Sequence, residues 1–456
     1  MALLFFSSEI LYKIVLALFI FGIDSESVRN FEDFLHQPET YVQPPIHYDR
    51  YEDTDPYWQF GSKTVYNLEN TFQPLPSECK PMQIFMINRH GTRHSANSYI
   101  EKMTKLKDLI NKMGKPKMNE KDVENLKNWE IHNDGTIDKN LSSQGVSDMK
   151  ALGKRVRAAF TSLLDEPYDP ENGVYKVVSA PKPRCVTSAE KFMQAALGDE
   201  ELKLPKNIDD NVLPNLYVLK EQLLLSEPAV EPHESPETQI KKFKESDTFA
   251  KVLSRVATKM DLQEGVTITL EQLETIYESC RQVRATNPTS TPVWCTVFVQ
   301  EDLKVLEYMD DLGWYYSFGY GCPIHEKIAC HMLKQLKDSF KEKAGGRGPK
   351  GVFHFAHRSN MIVTAVMLGV AKDIKPLTYD NMDEMKDRNW RTSKLNPFGA
   401  NMTAVLCDCG NGEMKVSFYI NEVLTRIELG DGSTCDLCSW ELVEKNFDEV
   451  IQKSNC

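Results

Sequence analysis

Residues 82–93 read MQIFMINRHGTR, and this stretch decides the fold. The first seven residues form a short apolar run, which predicts a buried strand. The run ends directly at the RHGTR segment, residues 89–93. We therefore expect a buried strand whose following loop carries two arginines and one histidine.

Two more strands of the same design are predicted further along the chain. Residues 174–180 form an apolar strand that two prolines close, and Arg184 follows it. Residues 351–356, GVFHFA, come after a glycine-rich turn and lead to His357. Each of these strands therefore also ends at a cationic or imidazole side chain.

The remaining segments complete an α/β architecture. Residues 360–370 have helical apolar spacing, and residues 402–407 and 414–420 are further strands. Strands separated by helical segments predict a sheet core with helices on both faces.

A change in the residue pattern along the sequence divides the chain into a core and an insertion. Residues 201–320 show helical patterns broken by prolines, which predicts an inserted, smaller helical domain. We assign the α/β core to residues 25–200 and 321–456, and a signal peptide to residues 1–24. About nine apolar residues follow Lys13, far fewer than the roughly 20 that span a bilayer.

The chain is acidic, which limits its partners. It has 456 residues, a net charge of −12 and a pI of about 5.5. This balance excludes the basic face that binds nucleic acid and gives no general attraction for anionic membranes. The C-terminal segment shows no hydrophobic anchor, so we expect no membrane anchor. An anionic ligand must be captured by a local cationic cluster.

Eleven scattered cysteines are typical of a protein exported to an oxidising compartment. Their odd number leaves at least one thiol free or intermolecular. The CDLC segment, residues 435–438, predicts a disulfide rather than half a zinc site, because no second pair with suitable spacing lies nearby. Residues 140–142 and 401–403 match the pattern for N-glycosylation. We therefore expect a secreted protein, or one in the lumen of the secretory pathway.

The three strand ends predict one site. If the strands are neighbours, Arg89, His90, Arg93, Arg184 and His357 meet at the carboxyl edge of the sheet, where α/β folds bind ligands. Arginine forks match phosphate oxygens, and a neutral histidine is a competent nucleophile. The cluster therefore predicts a phosphoryl site that needs no metal. Taken alone, Arg184 is compatible with a solvated loop and His357 with a satisfied histidine of the core.

At these residues the chain resembles the histidine phosphatases of the acid phosphatase and phytase branch, and within it the phosphatases of inositol polyphosphates. The resemblance covers most of the chain after the signal peptide. It rests on these segments: residues 60–66, Cys79 shortly before residues 89–93, residues 184–188, Trp294-Cys295, residues 306–308, Asp311-Leu312 and residues 319–321.

The resemblance implies roles for the clustered residues. His90 is implied as the nucleophile, and His357 takes part in catalysis and binds phosphate together with Arg89, Arg93 and Arg184. An α/β domain with a helical insertion is implied, and no cofactor is expected. Two disulfides are implied as well: Cys79–Cys409 and Cys280–Cys295.

The loop that follows the third strand, residues 351–356, departs from the family pattern at residues 357–359. Relatives read His-Ala-Glu or His-Asp, where the carboxylic acid protonates the leaving oxygen, whereas this chain reads His357-Arg358-Ser359. General acid catalysis contributes about 10²–10⁴-fold when the leaving group is a poor one. Serine is too weak an acid to substitute, and Arg358 keeps its proton because a guanidinium is not deprotonated in proteins. A smaller departure is Ser95, where relatives carry proline.

Three functions are compatible with this pattern. The first is a secreted phosphomonoesterase that acts on inositol polyphosphates or similar esters through a phosphohistidine. The second is a binding protein that keeps the anion site and sequesters phosphorylated ligands. The third, a structural protein without a ligand, does not account for three cationic strand ends. His90 favours the enzyme, since a binder needs no nucleophile, whereas the missing acid favours the binder.

Overall fold

The computed structural model describes residues 55–66, 70–131, 138–204, 215–226 and 235–454. These residues belong to one compact unit. The predicted signal peptide, residues 1–24, lies outside the described residues.

The strands lie close to their predicted positions. They are β1 Lys80–Arg89, β2 Tyr175–Ser179, β3 Gly351–Ala356, β4 Asn401–Asp408, β5 Met414–Ile420, β6 Val423–Leu424, β7 Ile427–Glu428, β8 Thr434–Cys435 and β9 Leu437–Ser439.

The helices alternate with the strands only in part. They are α1 Asn97–Thr104, α2 Leu106–Ile110, α3 Glu120–Lys127, α4 Ser143–Ala159, α5 Pro183–Leu197, α6 Leu216–Ser226, α7 Pro236–Lys244, α8 Asp247–Met260, α9 Leu270–Thr286, α10 Gln300–Phe318, α11 His325–Ala344, α12 Arg358–Met367, α13 Thr392–Leu395 and α14 Trp440–Ser454. Short 3₁₀ turns are Gly61–Lys63, Thr161–Leu163 and Val293–Val297.

The main sheet of the described chain has the strand order β2-β3-β1-β4-β5-β6, and β9 pairs with β5. β3 is parallel to both β1 and β2, with Arg89 opposite Ala356 and Ser179 opposite Phe355. These three strands are therefore neighbours, which is the condition under which their strand ends form one site. Their carboxyl ends lie together at one edge of the sheet.

The other half of the sheet is antiparallel. β4 runs antiparallel to β1, and β5 runs antiparallel to β4. The sequence analysis located both strands but not their direction. Residues 409–413 are too short a connection for the crossover that a parallel pair requires, so a hairpin forms.

β1 is buried on both faces, which explains its unbroken apolar run. Phe85 and Ile87 join one hydrophobic cluster, whereas Ile84 and Met86 join a second cluster on the opposite face. Helices α10, α11 and α12 contribute side chains to the first cluster, and α4 and α5 to the second. The predicted α/β sheet with helices on both faces is therefore confirmed.

The segment predicted as an insertion is helical where the structure describes it. Helices α6 to α10 lie within residues 215–318. Their buried side chains, such as Phe243 and Phe249, belong to the same hydrophobic cluster as Phe85 of β1. The division into a core and a separate domain of residues 201–320 stays a prediction.

Disulfides link distant parts of the fold. The bonds implied by the resemblance are present, and so is the bond predicted for the CDLC segment: Cys79–Cys409, Cys280–Cys295 and Cys435–Cys438. Cys330 is also disulfide-bonded. Among the described residues, three cysteines are buried free thiols: Cys185, Cys322 and Cys407.

One of the two glycosylation patterns is inaccessible. Asn401 begins β4 with a fully buried side chain, and its Nδ2 donates to the Tyr66 hydroxyl at 2.8 Å. An oligosaccharide cannot be accommodated there in the folded chain. Asn140 is exposed, so the expectation of glycosylation rests on that residue alone.

Candidate active site

The parallel register of β1 and β3 places two histidines side by side. Arg89 lies opposite Ala356, and the backbone N–H of His90 donates to the Ala356 carbonyl at 3.1 Å. The residue after each strand is therefore a histidine at the same edge. The ring centroids of His90 and His357 are 5.8 Å apart.

Arg184 reaches the same point from the neighbouring strand. It lies in the first turn of α5, directly after β2, rather than in an open loop. Its Nη2 is 3.5 Å from Nδ1 of His357. The solvated-loop alternative for Arg184 therefore does not hold, and neither does a core role for His357, which is half-buried at the sheet edge.

The contact between His90 and the Gly91 carbonyl fixes the tautomer of the ring, in which Nε2 is the unprotonated nitrogen. Nδ1 lies 2.9 Å from the carbonyl oxygen of Gly91, which can only accept, so Nδ1 carries the proton. Burial, reinforced by Arg89, Arg184 and Arg93, lowers the pKa of His90 well below its ordinary value. The ring is therefore neutral at physiological pH, with the lone pair of a nucleophile on Nε2.

His357 has the opposite tautomer. The neighbours of its Nδ1 are a guanidinium N–H of Arg184 and the Cys185 thiol at 3.6 Å, and burial raises the pKa of that thiol to about 12. The Arg184 guanidinium can only donate, whereas the thiol donates to the Ala356 carbonyl, so Nδ1 accepts from Arg184 and Nε2 carries the proton. Burial, together with Arg184 and Arg89, lowers the pKa of His357 to about 4. His357 is therefore a neutral donor that suits a phosphate oxygen.

Arg89, the residue before His90, is held rigidly by backbone carbonyls and an aromatic ring. Its Nη1 donates to the carbonyl oxygens of Ser62 and Asn396, at 2.5 and 2.6 Å. Its guanidinium carbon lies 4.4 Å from the ring centroid of Phe398, which also packs near His90. A side chain so constrained loses little conformational entropy when it binds an anion.

The cationic cluster has unmet hydrogen-bonding capacity. Nε of Arg89 and Nε of Arg184 are buried and have no acceptor in the part of the chain that the structure describes. A buried donor without a partner costs about 1–3 kcal/mol. Phosphate oxygens at this edge would supply the missing acceptors.

The cluster also has unbalanced charge. Within the described ranges, no carboxylate lies at salt-bridge distance from Arg89, Arg93, Arg184 or Arg358. Burial and the neighbouring Arg184 and Arg358 lower the pKa of Arg93 to about 10. The mutual repulsion of these cations is relieved when an anion binds among them.

Two carboxylates lie further out, and neither is a suitable acid. A hydrogen bond from the backbone N–H of Asn97 holds the pKa of Asp138 below its ordinary value. Burial alone would raise the pKa of Asp310, but Arg281 and the backbone N–H of Ser62 bring it below the ordinary value. Both groups are therefore ionised at neutral pH and hold no proton to donate.

Arg358 occupies the position next to His357. Its guanidinium carbon lies 4.3 Å from the ring centroid of Trp314, and its Nη1 is 3.4 Å from Oγ of Ser62. The carbonyl of Ser62 also accepts from Arg89, so one residue joins the two guanidinium groups. Ser359, which follows Arg358 in the first turn of α12, is buried.

Two helices fix the loop that follows β1. The backbone N–H of Gly91 donates to Oγ of Ser188 in α5, and Thr92 donates from both its N–H and its hydroxyl to Asp148 in α4. Gly145 of α4 packs so closely that a Cβ on Gly91 would lie 2.5 Å from the Gly145 carbonyl oxygen. Only glycine at both positions allows this approach.

We expect Gly145→Ala to lower kcat for p-nitrophenyl phosphate by about 10²-fold, because misplacing a catalytic loop by about 1 Å has an effect of that size. The added Cβ would collide with the backbone carbonyl of Thr92 and displace the loop that carries His90. The kinetics are measured well below the melting temperature.

Gly153→Ala in the same helix is the matched control. Its Cβ would collide with the backbone carbonyl of Phe192 in α5, away from the loop. This variant should lose stability while keeping its kcat. Equal losses of kcat in both variants would mean that general destabilisation, and not loop position, sets the rate.

Several contributors to the site were not anticipated from the sequence. Ser62 and Asn396 act through their carbonyl oxygens, which every residue has, so no side-chain pattern marks them. Asp148 and Ser188 are ordinary polar residues of helices until the fold places them under the loop. The available signal was the family resemblance, which includes residues 60–66 with Ser62 and residues 184–188 with Ser188.

A search of the described helices finds none with the length and apolar character of a membrane span.

Comparisons with known proteins agree with this geometry. A family model described as the histidine phosphatase superfamily, branch 2, matches residues 82–424. The chain is 27% identical over 419 residues to multiple inositol polyphosphate phosphatase 1 of Drosophila melanogaster, covering 87% of this chain and 86% of that protein.

Two solved structures share the fold. The phytase from D. castellii superposes with a TM-score of 0.67 at 15% identity, covering 90% of each chain. The multiple inositol polyphosphate phosphatase of Bifidobacterium longum in complex with inositol hexasulfate gives a TM-score of 0.62 at 13% identity, covering 84% of this chain and 96% of that one. At these identities the likeness shows the fold alone.

Proposed function

This chain belongs to the histidine phosphatase superfamily, branch 2, and from that membership we propose that it hydrolyses phosphate esters through a phosphohistidine on His90, without a general acid from its third loop. The phosphatase activity follows from the family. The roles of individual residues, the missing acid and the substrate are the proposal.

The observation that carries the proposal is the pairing of a neutral histidine with unpaired arginines. His90 keeps a lone pair on Nε2, and the charges of Arg89, Arg93 and Arg184 act on its ring. None of these arginines has a carboxylate at salt-bridge distance among the described residues. A phosphate monoester brings the negative charge and the acceptors that this arrangement needs. A structural cluster would pair its arginines with carboxylates instead.

The reaction proceeds in two displacements. Nε2 of His90 attacks phosphorus while Arg89, Arg93, Arg184 and the Nε2 proton of His357 bind the equatorial oxygens. The P–O bond to the alcohol breaks, and its oxygen leaves with the bonding electrons. Water then attacks the phosphohistidine, the P–N bond breaks, and the electron pair returns to Nε2. The Gly91 carbonyl stabilises the imidazolium that forms in between.

The leaving group decides the rate of the first step. An aliphatic hydroxyl without a proton donor leaves as an alkoxide, which is a base about as strong as hydroxide. A phenol has a pKa of about 10 and needs less assistance. Arg358 and Ser359 provide no acid, and Asp138 and Asp310 are ionised.

We expect the wild type to release phosphate from p-nitrophenyl phosphate at least about 10²-fold faster than from inositol hexakisphosphate, because only the second substrate requires a general acid. The measurement is kcat for each ester, by phosphate release at mildly acidic and neutral pH.

Either of two other results would change the proposal. Comparable rates would mean that another group donates the proton, and Asp138 and Asp310 would be tested first by replacement with asparagine. No release from either ester, with inositol hexakisphosphate still bound in a titration, would make the chain a catalytically impaired family member that binds phosphorylated ligands.

Inositol polyphosphates are the proposed substrate class. The support is the name of the Drosophila melanogaster relative and the inositol hexasulfate bound to the Bifidobacterium longum protein. The cationic site fits a polyanionic ligand, in spite of the acidic chain.

We also propose that the protein works in the secretory pathway or outside the cell. The disulfides Cys79–Cys409 and Cys280–Cys295 close loops that a reducing cytosol would leave open. Residues 201–320 are proposed to form the helical insertion that covers the site, because α10 supplies Trp314 against Arg358.

A further inference from the structure

Arg358 is a cation beside the phosphate site. The charge of Asp310 acts on it, but no carboxylate of the described residues lies at salt-bridge distance from it. Two contacts fix it, one with the Trp314 ring and one with Oγ of Ser62. Nearby cations are neutralised by acidic residues of the helical segment: Lys63 pairs with Glu278, and Arg281 pairs with Glu278 and Asp310. Arg358 has no such partner in the described part of the chain.

The charge of Arg358 acts on the whole site. It lowers the pKa of Arg93, of Arg89 and of His357, in each case in addition to the larger effect of burial. Three arginines and His357 already suffice for the oxygens of one transferred phosphoryl group. A fourth arginine is available for a second group of negative charge.

The part of the substrate nearest to Arg358 is the part that leaves. Relatives that read His-Asp carry at residue 358 the acid that protonates the leaving oxygen, and Arg358 occupies that position here. We therefore assign the transferred phosphoryl group to Arg89, Arg93, Arg184 and His357, and the leaving group to Arg358. A guanidinium there stabilises a leaving group that departs as an anion.

We propose that the preferred substrates of this site are diphosphates, from which His90 removes the terminal phosphoryl group while Arg358 stabilises the departing phosphate. This inference rests on the proposed function and deepens it. A monoester phosphate has a second pKa of about 6, so it leaves without a proton near neutral pH. The absence of a carboxylic acid then carries no penalty.

The step balances without an added acid. Nε2 of His90 forms the N–P bond to the terminal phosphorus. The P–O bond of the bridge breaks, and the bridging oxygen keeps its electron pair as an oxygen of the remaining phosphate. Water then cleaves the phosphohistidine, which gives inorganic phosphate and a proton released to solvent.

A matched pair of substrates tests the inference. A diphosphoinositol pentakisphosphate and inositol hexakisphosphate share one ring and differ by a single terminal phosphate. We expect kcat/KM for removal of that phosphate to exceed kcat/KM for the hexakisphosphate by about 10²-fold or more, the usual contribution of a general acid. Chromatography identifies inositol hexakisphosphate as the product. Inorganic pyrophosphate and ADP show whether free or nucleoside diphosphates serve equally well.

Arg358→Ala assigns the effect to this residue. We expect it to lower kcat/KM for the diphosphates by about 10²-fold, the usual cost of removing one donor to a developing charge. The loss on p-nitrophenyl phosphate should be at least about tenfold smaller, because phenoxide carries no phosphate for Arg358 to bind. Arg426→Ala, in an exposed pair with Asp436, is the control and should alter neither rate.

The outcomes separate the two proposals. Cleavage of p-nitrophenyl phosphate without any advantage for diphosphates would overturn this inference and leave the proposed function intact. Equal losses on both substrate classes in Arg358→Ala would also overturn it. No cleavage of any substrate would overturn the proposed function, and this inference with it.

Discussion

His90→Ala is expected to abolish hydrolysis of p-nitrophenyl phosphate, with kcat lower by on the order of 10⁴-fold or more, because removal of a covalent nucleophile eliminates the two-step path. Nε2 of His90 is the basic nitrogen that faces away from the Gly91 carbonyl, and the neutral ring needs no activating base. Phosphate release is measured beside the wild type at a pH where both are folded.

The trapped intermediate gives a second measurement of the same role. Wild type quenched during turnover should carry acid-labile phosphate, whereas His90→Ala should carry none. The variant should still bind inositol hexakisphosphate, since Arg89, Arg93 and Arg184 remain. His331→Ala, an exposed histidine on α11, is the matched control and should behave as wild type. Substantial turnover by His90→Ala would show that water attacks phosphorus directly.

The site could be predicted from the sequence to the extent that it depends on strand ends. The apolar runs before Arg89 and His357 located β1 and β3 almost to the residue, and parallel strands bring their carboxyl ends to one edge. Arg184 was predicted at that edge although α5 begins one residue before it. The unbroken apolar run locates β1 because this strand is buried on both faces, so every one of its positions favours an apolar residue.

The supports of the site were beyond sequence analysis for a physical reason. Arg89 is held by the carbonyls of Ser62 and Asn396, one from the chain before β1 and one from the chain before β4. Such contacts depend on long-range packing and leave no local periodicity. The tautomers of His90 and His357 also depend on the fold. The Gly91 carbonyl fixes the first and the Arg184 guanidinium fixes the second.

The substitution at residues 358 and 359 has the largest consequence for catalysis, and it can be reversed. Arg358→Ala combined with Ser359→Glu recreates the His-Ala-Glu pattern of relatives. We expect the double variant to hydrolyse inositol hexakisphosphate about 10²–10⁴-fold faster than the wild type, because a carboxylic acid beside His357 protonates the leaving oxygen. The measurement is kcat for phosphate release from that ester.

The pH dependence distinguishes an acid from a change of shape. The new glutamic acid works only when protonated, so the rate of the double variant should fall as pH rises through the pKa of its carboxyl group. Burial lowers the pKa of His90 well below its ordinary value and the pKa of His357 to about 4, so both rings are neutral near neutral pH. The wild type should therefore show no such alkaline limb on p-nitrophenyl phosphate. Arg358→Ala with Ser359→Gln is the matched control, since glutamine has the size of glutamic acid but no carboxyl proton. If the glutamine variant gains as much rate as the glutamate variant, the wild type is limited by access to the site, and the loss of a proton donor does not explain its chemistry.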